Sequence, residues 1–128
     1  MFLRSSHKIL GHYGGRFHFA FVELEILSIV SKEPELSVIL DSKEGIFDSW
    51  ISASMMGVKK FMSEFPEYSH HKRFIVRKIF ANLVDTEDQT VGLVSYLAIY
   101  KSLIENRDVP EIDYDGRWSV DSEPFDAI

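Results

Sequence analysis

Five histidines are the residues of this 128-residue chain best suited to hold a metal ion, because a neutral imidazole nitrogen is a good ligand for zinc and its neighbours. His7, His12 and His18 flank a glycine-rich stretch near the N-terminus, and the doublet His70–His71 lies in the middle of the chain. No second His lies one helical turn from any of them, and a doublet at the head of a strand is commonly solvated. No native metal site is expected from them. GHYGG, residues 11–15, offers a second chemistry: paired glycines can turn backbone N–H groups toward a phosphate. Such cradles normally open a helix. Here the glycines run into a strand pattern, so the stretch is read first as a turn whose glycines accept positive φ, and second as a binding loop.

Acid–base catalysis needs a placed pair of titratable groups. Asp85, Glu87 and Asp88 cluster around Thr86, where capping of a helix N-terminus accounts for them. Glu23 and Glu25 fit a solvated strand face, while Ser52 and Ser54 sit inside a helical pattern without the sharp elbow that activates a nucleophile. No enzyme is expected, and no cofactor. Arg4, Lys8, Arg16, Lys72, Arg73, Arg77 and Lys78 could instead form a basic surface, with Arg73 and Arg77 projecting from one strand face for phosphate contact or base stacking.

Cys is absent, which removes disulfides and thiolate ligands and fits a reducing compartment. No apolar run approaches the ~20 residues that span a bilayer, and the opening MFLRSSHKIL lacks the features of a signal peptide. A cytoplasmic protein without a membrane partner is expected. The formal charge is −6, and it is uneven. From Asp108 onward there are seven acids and one Arg, so the preceding body is close to neutral. Tyr114, Trp118 and Phe125 lie among those acids, a mixture suited to docking on a protein partner or a second copy of the chain.

The elements that must position these residues follow from periodicity. Residues 16–30 (RFHFAFVELEILSIV) predict a long strand whose alternation slips by one between Phe21 and Val22, the mark of a bulge. The turn SKEP and residues 35–40 complete a hairpin with it. Asp41 and Glu44 are spaced as a capping box ahead of a helix presenting Ile46, Trp50, Ala53, Gly57, Phe61 and Phe65, ending before Pro66. Gly57 would let that helix approach the sheet. Residues 71–83 predict a third strand. Thr86 and Gln89 form a second capping box, before a helix at 91–104 that is apolar nearly all round, with Asn106 as its C-cap. The order β-β-α-β-α gives an α+β two-layer sandwich, with helices on one face of a small sheet. The expected division is a domain at 1–107 and an acidic aromatic tail at 108–128, which either adds a strand or lies as an arm held by Trp118.

This order, with GHYGG before a long strand, resembles domain IV of translation elongation factor G and its ribosome-protection relatives. That family carries Gly-Gln-Tyr-Gly where this chain has Gly11, His12, Tyr13 and Gly14. EGIFDSWISASMMGVKKFM, residues 44–62, is similar to its first helix, with Gly45 and Gly57 in register; LVDTEDQTVGLVSYLAIYKSL, residues 83–103, is similar to its last turn and helix, with Asp85 matched. The resemblance covers roughly residues 6–105 and implies a sandwich with a left-handed β-α-β crossover and two tip loops that reach tRNA and messenger RNA. The departures are specific. Ile9 and Leu10 replace glycines of the first loop, Asn82 and Leu83 stand where the second carries a His or polar pair, and no Gly-x-x-x-x-Gly-Lys-(Ser/Thr) phosphate loop is present. The expectation is a free-standing, non-catalytic binding module that contacts the ribosome or RNA through Lys8, Gly11, His12, Tyr13, Gly14, Arg73, Arg77 and Asp85. The alternative is an interaction or antagonist module working through its acidic surface and the Trp118 tail, with homodimerisation available to either.

Overall fold

The computed structural model describes residues 2–104 and 108–126. Two strands open the chain, β1 (Phe2–Tyr13) and β2 (Arg16–Ser28), and pair antiparallel along their whole length. The opening segment is thus a strand, where the sequence reading placed a loop. Its inward positions explain the discrepancy: Leu3, Ser5, His7 and Ile9 alternate toward the helices, but two of the four are polar. Ser5 is buried because its hydroxyl donates to the Ala98 carbonyl, so apolar alternation alone does not reveal the strand.

β3 (Glu35–Val38) is followed by α1 (Asp48–Glu64), the single turn α2 (Pro66–Ser69) and β4 (Lys72–Phe80). The sheet order is β1-β2-β4-β3, with β3 parallel to β4. The hairpin expected between β2 and β3 does not form, because β2 is already paired with β1 on one side and β4 on the other. The bulge is real but lies in β4. Glu23 pairs with Lys78 and Leu24 with Val76, leaving Arg77 as the extra residue. β2 keeps phase throughout: His18, Ala20, Val22, Leu24 and Ile26 are all buried, and Phe17, Phe19 and Phe21 face the opposite way.

α1 and α3 (Asp88–Leu103) lie side by side on one face of this sheet, α3 over β1 and β2. α3 is buried at every position from Thr90 to Tyr100, as its all-round apolar pattern requires. α1 presents Trp50, Ala53, Gly57 and Phe61 inward and stops before Pro66. Neither capping box forms. Asp41 binds Arg77, while the Thr86 hydroxyl accepts from the Asn82 amide and donates to the Phe19 carbonyl of β2. Gly57 approaches α3 rather than the sheet: a Cβ there would overlap the Gly92 carbonyl. The C-cap expected at Asn106 lies outside the described residues.

The tail forms a second antiparallel sheet of β5 (Ile112–Tyr114), β6 (Trp118–Val120) and β7 (Glu123–Pro124). Its aromatics Tyr114, Trp118 and Phe125 belong to the same buried cluster as Val22 and Leu97. The division at 107/108 therefore separates segments that share one core. Among the described residues no helix is long and apolar enough to cross a membrane.

Candidate binding surface

Three segments meet at one end of the main sheet. The first is the β1–β2 turn, where Gly14 (φ 60°) and Gly15 (φ 77°) form a two-residue connection with both centres left-handed, the geometry that matches strand twist. The turn reading of GHYGG therefore holds. The second is the loop 81–87. Asn82 Oδ1 accepts from the Val84 and Asp85 amides at 3.0 and 2.7 Å. Thr86 Oγ1 donates to the Phe19 carbonyl at 2.6 Å, and the Phe19 amide donates to the Asp85 carbonyl at 3.0 Å. The loop is thereby stitched to β2. The third segment is the β5–β6 turn: a Cβ on Gly14 would overlap the Tyr114 carbonyl.

Side chains lock the three together. The Arg16 guanidinium lies 3.0 Å from Glu87 and donates to the Val84 carbonyl at 3.4 Å. Tyr114 donates its hydroxyl to the same Glu87, and that hydrogen bond, followed by desolvation, raises the phenol pKa above its ordinary value. Behind them His18 is fully buried, its ring 4.3 Å from Tyr114 and 4.8 Å from Trp118. Its Nε2 lies 3.1 Å from the Tyr13 carbonyl, which can only accept, so Nε2 carries the proton; Nδ1 has no partner among the described residues.

The residues singled out from sequence divide accordingly. Gly14 makes the turn, Tyr13 is half-buried with its ring 5.3 Å from Trp118, and Gly11 lies within β1 opposite His18. Lys8 and His12 are exposed on the face away from the helices, opposite Phe21 and Phe17. Asp85 shapes the second loop through its backbone. Trp118 is no surface anchor. It is fully buried, its Nε1 donates to Thr90 Oγ1 at 2.9 Å, and Gln89 bridges its amide and the Phe125 carbonyl at 2.8 and 2.7 Å.

Arg73 and Arg77 share the open sheet face as expected, but not as free cations. Arg73 is bound to Glu35 at 2.7 Å, and Arg77 to Asp41 with Glu25 at 3.7 Å. Arg4–Glu25 at 3.2 Å and Lys78–Glu23 at 3.7 Å extend the lattice. The carboxylates come from β2, β3 and the segment after it, strands whose adjacency only the sheet order provides.

Sequence reasoning assigned the phenylalanines of RFHFAF no surface role. Phe17, Phe19 and Phe21 share the uncovered face with Phe80, which is 54% exposed and stacks on Phe21 with ring centroids 5.4 Å apart and planes 20° apart. His12 meets Phe17 edge-on at 5.2 Å. The signal was the matching parity of the three rings, once the opposite parity is recognised as the buried one.

Elsewhere, a cavity of about 540 Å³ between the starts of α1 and α3 is lined by Ser49, Ser52, Met56, Asp88, Gln89 and Asp126. Ser54 points away from it and bonds Ser95 at 2.7 Å. Among the described residues no group of three His or carboxylate side chains could hold a metal ion.

No protein-family model matches the chain, and neither does any curated protein. A crystal structure of a protein from Thermus thermophilus is similar to it with a TM-score of 0.66 and 18% identity, over 81% of this chain and 16% of that one. The likeness is one of fold, and the chain spans less than a fifth of that protein's length.

Proposed function

We propose that the chain is a non-catalytic binding module of the elongation factor G domain IV kind, a cytoplasmic accessory of translation that contacts the ribosome or RNA. The observation that carries this reading is the fastening of the β1–β2 turn to the 81–87 loop through Arg16, Glu87 and the Phe19–Asp85 backbone pair. Two loops far apart in sequence thus form one rigid end, the arrangement by which domain IV presents its two tip loops. The parallel connection from β3 through α1 to β4 is where the reading requires the left-handed crossover. Lys8 and Arg117 supply exposed positive charge along this end and the strand leading to it, while Arg16 is paired with Glu87. Because Arg73 and Arg77 are held by carboxylates, the contact is assigned to the tip.

Co-sedimentation with ribosomes at low and moderate salt tests this. Salt-sensitive pelleting that is weakened by Lys8→Glu and Arg16→Glu supports the reading; absence of pelleting at either salt overturns it.

A second reading has its own observation. Glu111, Asp113, Asp115, Asp121, Glu123 and Asp126 are all exposed on the small sheet or just beyond it, an acidic surface fit for a basic protein partner. In that case charge reversal at Glu111 and Glu123, at the end of the small sheet away from the tip, abolishes partner binding, and Lys8→Glu does not.

A further inference from the structure

We propose that the uncovered sheet face at the tip end is a stacking platform for unpaired RNA bases, an inference that rests on the RNA-contacting reading above. Phe17, Phe19 and Phe21 alternate along β2, so their rings recur every ~7 Å on one face, a separation that gives each ring room for one splayed base. Phe80 extends the row sideways onto β4, and His12 extends it onto β1. A sheet buries one face well with aromatics, but here the other face carries them while no helix covers it.

Charge decides between nucleic acid and protein as the occupant. Lys8 stands opposite Phe21, Arg16 adjoins Phe17, and Lys78 lies two residues before Phe80. Lys8 has no carboxylate within ion-pair distance among the described residues, whereas Glu23 is beside Lys78 and Glu87 beside Arg16. In a chain of net charge −6, the ring row is thus bordered by three cations, of which Arg16 and Lys78 keep carboxylate partners and Lys8 is the uncompensated one. Flat rings bordered by cations suit bases with their phosphates; they suit a base-paired duplex poorly, because its bases are already stacked on one another.

The probe is a dye-labelled single-stranded oligoadenylate, followed by fluorescence anisotropy, with the same strand annealed to oligouridylate as the duplex control. The 128-residue chain is expected to prefer the single strand. Phe80→Ala is expected to weaken that binding about tenfold and Phe80→Trp to preserve it, with indole fluorescence quenched on binding. Phe80 is half exposed, so circular dichroism and thermal melting should be unchanged. Lys8→Gln is expected to lower both affinity and its salt dependence. Equal binding of duplex and single strand, or full binding by Phe80→Ala, overturns the platform. Concentration-dependent self-association that Phe80→Ala abolishes, with no oligonucleotide bound, overturns it in favour of an interface between copies. Ribosome pelleting by the same variants separates the two proposals. Pelleting that is unaffected in Phe80→Ala, with no oligoadenylate bound, leaves the tip reading standing alone. Oligoadenylate binding without pelleting leaves the platform and removes the ribosome.

Discussion

Gly57 and Gly92 meet where α1 packs on α3, and the contact leaves no room for a side chain at Gly57. Gly57→Ala should therefore destabilise the fold by about 1–3 kcal/mol, although alanine is the better helix former, and a lowered urea midpoint would show it. His7 gives a residue-scale pH effect. Burial, reinforced by the charge of Lys101, lowers its pKa from 6.5 to about 4. The folded state holds this ring neutral while the unfolded chain protonates it near 6.5, so its contribution to stability is complete above that pH. It is lost as the pH falls through the window down to about 4. Thermal melts across that window should be less pH-dependent in His7→Gln, whose side chain stays neutral. An unchanged acid limb would assign the effect to the carboxylates.

At the scale of elements, two devices position the tip. Gly14 and Gly15 both need positive φ, but only Gly14 also presses on the Tyr114 carbonyl. Gly15→Ala should cost ~1–2 kcal/mol from the left-handed backbone alone. Gly14→Ala should cost distinctly more, and comparing the two unfolding curves isolates the contact with the tail. The tail is the second device. A chain ending at Ile104 is expected to lose cooperative melting, because it exposes the core against which Trp118 and Phe125 pack. Trp118→Ala should reproduce much of that loss, ~3–5 kcal/mol, for the same reason. A truncated chain that kept a sharp thermal transition would return the tail to the status of an arm.

The whole molecule separates its charges. The small sheet carries exposed acids, the middle of the open face is an ion-pair lattice in near balance, and Lys8, with no ion-pair partner among the described residues, stands on the strand leading to the tip. Exposed pairs of this kind contribute little stability each, ~0–1 kcal/mol. Their larger effect is on recognition, since they remove positive potential from the centre of the sheet and leave Lys8 as its unpaired cation among the described residues. Raising salt should therefore weaken ribosome or oligoadenylate binding far more than it changes the melting temperature.

What the sequence determined by itself was the set of elements with strong local signals. α1 is legible from apolar residues at helical spacing and from Pro66, α3 from its continuous apolarity, and the two-glycine turn from the preference of left-handed centres for glycine. The two-layer class follows from their order. What only the tertiary structure decided is whatever depends on a neighbour distant in sequence. β1 is hidden because Ser5 is satisfied by α3, and β3 pairs in parallel because β4 occupies the place beside β2. Arg73 and Arg77 look like a basic face until Glu35 and Asp41 are brought beside them, and Trp118 looks like a docking anchor until Thr90 is. Periodicity reports which residues share a face, whereas burial and charge compensation depend on what lies opposite that face. For RFHFAF the sequence named the two faces of a strand, and only the packing of α3 on one of them decided that the phenylalanines belong to the other.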